Sequence, residues 1–143
     1  MQPDQGRLQT AEHILNHIVE KMVLGYHMVI CRFEPGHGTL EVESDDDLTG
    51  FNRLEFQEQV NRIIAKDLAI KIFTLGRDEA AERFDLRRIP AAAKEIRVVE
   101  IEGFDARPCR DPHVSKTSEI GRFELYSLEK VGKNRYRFSY KVH

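Results

Sequence analysis

Two short pairs at opposite ends of the chain constrain its fold more than any other feature. His13-x3-His17 lies in Gln9-Thr10-Ala11-Glu12-His13-Ile14-Leu15-Asn16-His17, and Cys109-x3-His113 lies in Pro108-Cys109-Arg110-Asp111-Pro112-His113-Val114. On a helix, residues four apart share a face with Cβ atoms ~6 Å apart, so the His pair can chelate one ion without distorting the backbone. Arg110-Asp111-Pro112 suits neither a helix interior nor a central strand, which places Cys109 and His113 on a loop. Three imidazoles and a thiolate make a tetrahedral zinc set. If the pairs share an ion, the N-terminal helix must pack against a loop some 95 residues further on. Taken separately, each pair has an ordinary explanation as surface histidines or an inert packed cysteine.

The rest of the chain reads as one domain over residues 1–143 with an α+β pattern. Ile14, Leu15, Ile18, Met22 and Val23 recur at helical spacing from about Thr10, with Gly25 as the stop. A second amphipathic helix is expected at about 52–66 on Leu54, Val60, Ile63 and Ile64, and a short one at 78–84. Strands are expected at 28–33, 39–42, 68–75 and 96–101, followed by a closing hairpin of 121–128 and 136–142 turning through Val131-Gly132-Lys133-Asn134. The expected architecture is two main helices packed on a largely antiparallel sheet of five or six strands.

Composition narrows the setting. Two cysteines are too few for a disulfide framework and fit a reducing compartment. No apolar run approaches the ~18 residues of a membrane span, and MQPDQGRLQT lacks the apolar core of a signal peptide. The expected location is the cytoplasm. A net charge of −2 conceals an asymmetry: residues 104–143 carry 9 Lys/Arg against 5 Asp/Glu, while residues 1–103 carry 13 against 19. The basic segment surrounds and follows Cys109-x3-His113. It suits a solvated strand face or a phosphate-facing surface.

Beyond His113 the sequence continues Val-Ser-Lys-Thr117-Ser-Glu119-Ile-Gly121. The whole segment resembles the motif of the second additional domain, which edits mischarged alanyl- and threonyl-tRNA. Its first half matches the threonyl form, Cys-Arg-Gly-Pro-His-Val, at all but one position. Its second half is similar to the alanyl form, Cys-x-Gly-Thr-His-x-x-x-Thr-Gly-Glu-Ile-Gly. Thr10-Ala11-Glu12-His13-Ile14-Leu15 resembles the same family's His-Thr-Ala-x-His-Leu-Leu helix. Motif order, spacing and length are similar to a small freestanding, AlaX-like editing domain.

The resemblance implies a tRNA-synthetase editing-domain fold and a hydrolase that deacylates mischarged tRNA, Ser-tRNA of the alanine or threonine type. It implies zinc as cofactor, and the tRNA acceptor end as partner rather than DNA or a membrane. It puts His13, Cys109 and His113 in ligand positions, but Gln9 stands where the family's first helical His is found. His17 falls one turn beyond the usual pair. Three outcomes stay open: His17 as a shifted fourth ligand, water or Gln9 completing the shell, or no metal at all. Gln9, Thr117, Glu119 and Gly121 are the candidate pocket residues, with the Thr117 hydroxyl donating to substrate and Gly121 allowing its close approach. Arg110, Lys116 and Arg122 are the candidate tRNA contacts, and Asp105 a candidate to orient a ligand histidine. The alternative is a degenerate module of the same fold that binds tRNA or protein without catalysis.

Overall fold

The computed structural model describes residues 4–143. The order is α1 (Gln5–Met22), β1 (His27–Glu34), β2 (His37–Glu43), α2 (Arg53–Ala65), β3 (Ile70–Gly76), α3 (Arg77–Arg83), β4 (Glu95–Ile101), β5 (Asp105–Pro108), β6 (Phe123–Gly132) and β7 (Arg135–Val142). A 3₁₀ turn at Thr117–Ile120 precedes β6. The fold is α+β, as expected, but the strands form two sheets. One is four-stranded in the order β1-β2-β7-β6 and the other three-stranded in the order β3-β4-β5, with all neighbours antiparallel. No helix among the described residues is long and apolar enough to cross a membrane.

Helix α1 is the centre of the molecule. Leu8, Ala11, Ile14, Leu15, Ile18 and Val19 are buried at spacings that form one apolar face. They join Leu40, Val42, Phe138 and Tyr140 of the four-stranded sheet and Phe56 and Val60 of α2 in the main core. Phe56 meets Phe138 edge-on at 5.3 Å between ring centres. The Tyr140 hydroxyl donates to Leu8 O at 2.9 Å, tying the sheet to the helix backbone. A smaller cluster of Ala80, Ile96 and Val98 lies where α3 covers the three-stranded sheet.

The opposite face of α1 is also buried, and it is polar. Gln9, Glu12, His13 and Asn16 follow one another at helical spacing, and each is at most 6% exposed. A helix buried all round must find partners for such groups within the fold. Beyond Met22 the chain turns through Gly25 at φ +63°, where a Cβ would collide with the Asp45 carboxylate.

Candidate active site

The two ends of the chain do meet. His13 from the polar face of α1 and Cys109 and His113 from the loop after β5 bring their ligand atoms within 4.8 Å of one another. The imidazoles of His13 and His113 pack edge-to-face at 4.4 Å between ring centres, and Cys109 Sγ lies 3.4 Å from His113 Nε2. The loop is held by Arg97 on β4, whose guanidinium donates to Cys109 O at 2.8 Å and to Asp111 O at 2.9 Å. Against the helix it is seated at Gly6, where a Cβ would come within 3.2 Å of the His113 carbonyl carbon.

Thr10 decides which nitrogen of His113 is available. Its hydroxyl donates to Gly6 O at 2.8 Å and has no second proton to give. Oγ1, 2.9 Å from His113 Nδ1, therefore accepts from it, and it also accepts from Val114 N at 3.2 Å. His113 thus carries its proton on Nδ1 and presents the bare Nε2 lone pair toward Cys109. This arrangement fixes both the tautomer and the ring orientation of His113, in the form a metal ligand requires.

The donor set fits a metal on a second count. His13 Nδ1 is the one side-chain nitrogen or oxygen among the described residues that is wholly shut off from solvent and has no hydrogen-bond partner. Such atoms are seldom left unpaired, and a ligand position would account for the exception. Burial drives the His13 imidazole well below its ordinary 6.5, with Arg107 and His113 adding to the effect. Burial and then Arg97 lower His113 to about 4. Both rings are therefore neutral at pH 7, the form that binds a cation. Burial pushes the Cys109 thiol up to about 11, so an arriving cation would have to displace its proton. The cluster of His13, Cys109 and His113 could hold a metal ion.

His17 is not brought to the cluster. It stands one turn further along α1, with Nδ1 bonded to Asp105 Oδ1 at 2.9 Å and its ring against Phe104 at 4.2 Å. Asp105 orients this histidine and not a ligand. It also holds Arg107 through two bonds of 2.8 Å. Burial pulls the Asp105 carboxyl up, but the Arg107 and His17 contacts outweigh it and keep the group below its ordinary value.

The cluster opens onto a cleft of about 530 Å³ between α1, β1 and the Cys109 loop. Gln9, Glu12, His13, Cys31, Arg107 and Cys109 give it a polar end, and Met28, Val29 and Phe33 give it an apolar wall. Arg88 and the 108–111 segment also line a neighbouring hollow of about 510 Å³ on the other side of the loop. Gln9 is thus a pocket residue, and Arg110 lies exposed at the mouth.

The other sequence candidates sit elsewhere. Thr117 is fully buried, its Oγ1 accepting from Leu68 N at 2.8 Å and donating to Ile64 O at 3.2 Å. Its hydroxyl is consumed in fastening the 3₁₀ turn to the end of α2, which removes it as a substrate donor. Glu119 is exposed and accepts from Ser115 Oγ. Gly121 has φ +83°, and the atom that would meet a Cβ there is the carbonyl of His143, so its close approach is to the C-terminus. Lys116 and Arg122 are exposed but do not line the cleft. Sequence reading missed Glu12 and Cys31. The signal for Glu12 was the 9-12-13-16 polar spacing on α1, hidden behind the apolar periodicity, and Cys31 on β1 carried none.

Residues 96–139 match the Threonyl and Alanyl tRNA synthetase second additional domain. The chain is 34% identical over 95% of its length to the alanyl-tRNA editing protein AlaX-M of Saccharolobus solfataricus, of which it spans 58%. With AlaX-M of Methanosarcina mazei the identity is 29% over 95% of the chain and 55% of the relative. It is also 32% identical, over 94% of its length, to 15% of the alanine–tRNA ligase of Staphylothermus marinus. The chain thus spans little more than half the length of the editing proteins it matches. The matched segment contains β4, β5, the Cys109–His113 loop and most of the closing hairpin, so that half of the candidate site lies within it. That segment, residues 96–139, is where the chain is similar to the threonyl and alanyl tRNA synthetase second additional domain.

Proposed function

We propose that this protein deacylates mischarged aminoacyl-tRNA by attack of water on the 3′ ester, with Ser-tRNA of the alanine or threonine type as substrate and zinc held by His13, Cys109 and His113. The observation that carries this reading is the meeting of a neutral His-Cys-His set with a cleft that is polar at one end and apolar along one wall. Zinc, when bound, supplies a Lewis acid beside the ester. The chain's own residues do the remainder. Thr10 keeps His113 in the liganding tautomer, Arg97 holds the loop carbonyls of Cys109 and Asp111, and Gln9 offers an amide to the aminoacyl group. Arg110 at the mouth, with Lys116 and Arg122 on the surface beyond, faces the phosphates of the acceptor end. A tRNA substrate places this work in the cytoplasm.

A non-catalytic module of the same fold is the second reading, and Gln9 favours it, because an amide stands where the family's first helical ligand is found. Two measurements on the purified protein decide. About one zinc per chain together with hydrolysis of Ser-tRNA supports the enzyme. Stoichiometric tRNA binding without hydrolysis supports the module, and absence of both zinc and hydrolysis would sink the enzyme reading.

A further inference from the structure

The pocket wall beside His13 carries a polar arrangement that a ligand role leaves unused. Gln9 and Glu12, one turn apart on α1, are 6% and 5% exposed and both line the cleft. Glu12 is clamped from two elements. Its Oε1 accepts from Cys31 Sγ of β1 at 2.9 Å and from Asn16 Nδ2 at 3.3 Å, and Asn16 Oδ1 accepts in turn from the Tyr26 hydroxyl. The other oxygen, Oε2, accepts no hydrogen bond from the described residues, and His13 Nε2 stands 3.9 Å from it. The nearby Arg107 is committed to Asp105 through both its bonds. The Gln9 amide likewise has no hydrogen-bond partner among the described residues. On the facing strand the side chains of Val29 and Phe33 are apolar, and Met28 is engaged by Arg88 through its carbonyl at 2.7 Å.

We propose that Glu12, steadied by Cys31 and Asn16 and assisted by Gln9, reads the side-chain hydroxyl of the substrate's aminoacyl group and so favours a seryl over an alanyl ester. The inference rests on the deacylase reading of the same cleft. A rigid buried acceptor gains a partner when a hydroxyl enters and is left unpaired when a methyl group does. That asymmetry is how polar sites reject an analogue lacking the hydroxyl, whereas an apolar pocket separates substrates differing by one small group only weakly. The α-amino group is common to both esters and cannot discriminate between them.

The test compares wild type, Glu12→Leu and Glu12→Gln in two assays. One is calorimetric binding of seryl- and alanyl-adenosine analogues in which a 3′ amide replaces the ester. The other is kcat/KM for deacylation of Ser-tRNA and Ala-tRNA. The wild type is expected to prefer the seryl member in both. Glu12→Leu is expected to lower the seryl-to-alanyl ratio by about 10-fold or more, the cost of leaving a buried hydroxyl without its partner, with alanyl values held or improved. Glu12→Gln preserves shape and an acceptor for Cys31, so it carries the test if the leucine variant does not fold, and the expected ratio is again lowered. An unchanged ratio overturns the proposal. So does an equal loss on both substrates in a variant with wild-type circular dichroism, which would assign Glu12 to the α-amino group or the scaffold. If the wild type hydrolyses neither ester yet binds the seryl analogue in preference through Glu12, the hydroxyl site stands and the hydrolase reading falls.

Discussion

Replacing Thr10 with valine isolates one hydroxyl at the junction of helix and loop. Valine fills nearly the same volume in this fully buried position, so the change is chemical and leaves no cavity. Three hydrogen bonds go, those to Gly6 O, His113 Nδ1 and Val114 N. Gly6 O keeps a lone pair that any carbonyl can leave idle, but two buried donors lose their acceptor. An orphaned donor costs about 1–3 kcal/mol, and relaxation of the loop offsets part of that, which leaves a total of about 2–4 kcal/mol. For a chain of this length Tm should fall by roughly 6–15 °C in a calorimetric scan. Metal affinity should fall separately, by about 10–100-fold, because His113 is no longer held with its proton on Nδ1. A competition titration against a chromogenic zinc chelator measures it. Thr10→Ser keeps the hydroxyl and loses only a methyl group, so it should lose about 1 kcal/mol of stability while retaining metal affinity. If Thr10→Val binds metal as tightly as wild type, or if the serine variant loses as much affinity as the valine one, the tautomer reasoning is refuted.

Metal content should separate the histidines: Cys109→Ala should lose stoichiometric zinc, whereas His17→Ala should keep it, since His17 is bonded to Asp105. Zinc retained at one per chain in Cys109→Ala would overturn the ligand set. In metal-free protein, His113 at about 4 when folded and near 6.5 when unfolded means that the unfolded chain binds more protons between those values. Stability should therefore be complete above about pH 6.5 and decline as pH falls toward 4. Calorimetry across that range should show a slope that is shallower in His113→Gln, and an equal slope in both proteins would contradict the assignment. Asn61 joins α2 to β6 through two bonds to Phe123, Nδ2 to O at 2.8 Å and N to Oδ1 at 2.9 Å. Asn61→Ala should cost about 1–3 kcal/mol in urea unfolding by stranding a backbone pair, with metal affinity unchanged.

What the sequence disclosed depends on how each signal is encoded. Elements with strong periodicity were legible: α1, α2, α3 and six of the seven strands lie within a few residues of their expected places. β5 was not, because Asp105–Pro108 has no apolar alternation and is a strand only through its pairing with β4. The division into two sheets was hidden for a related reason, since pairing partners are a tertiary choice that local pattern does not specify. At the site, His13, Cys109 and His113 were legible as ligand types at chelating spacing. His17 satisfied the same spacing rule and stands apart from them. An i,i+4 pair shares a helix face, but a turn of α-helix advances 5.4 Å along its axis. The loop meets α1 at the level of Gly6, Thr10 and His13, and one turn on, β5 supplies Asp105 in place of a ligand. Spacing therefore nominated two histidines, and the height at which the loop crosses the helix selected one. The same crossing explains Thr117, whose motif position suggested substrate but whose hydroxyl is consumed where the turn after the loop closes on α2. The polar face at 9, 12, 13 and 16 was legible in principle, because a helix with an apolar stripe that also carries Gln, Glu, His and Asn in one register is either solvated there or built around a site. Only the burial of that face decides between the two, and its burial comes from β1 and the Cys109 loop, segments far from α1 in the chain.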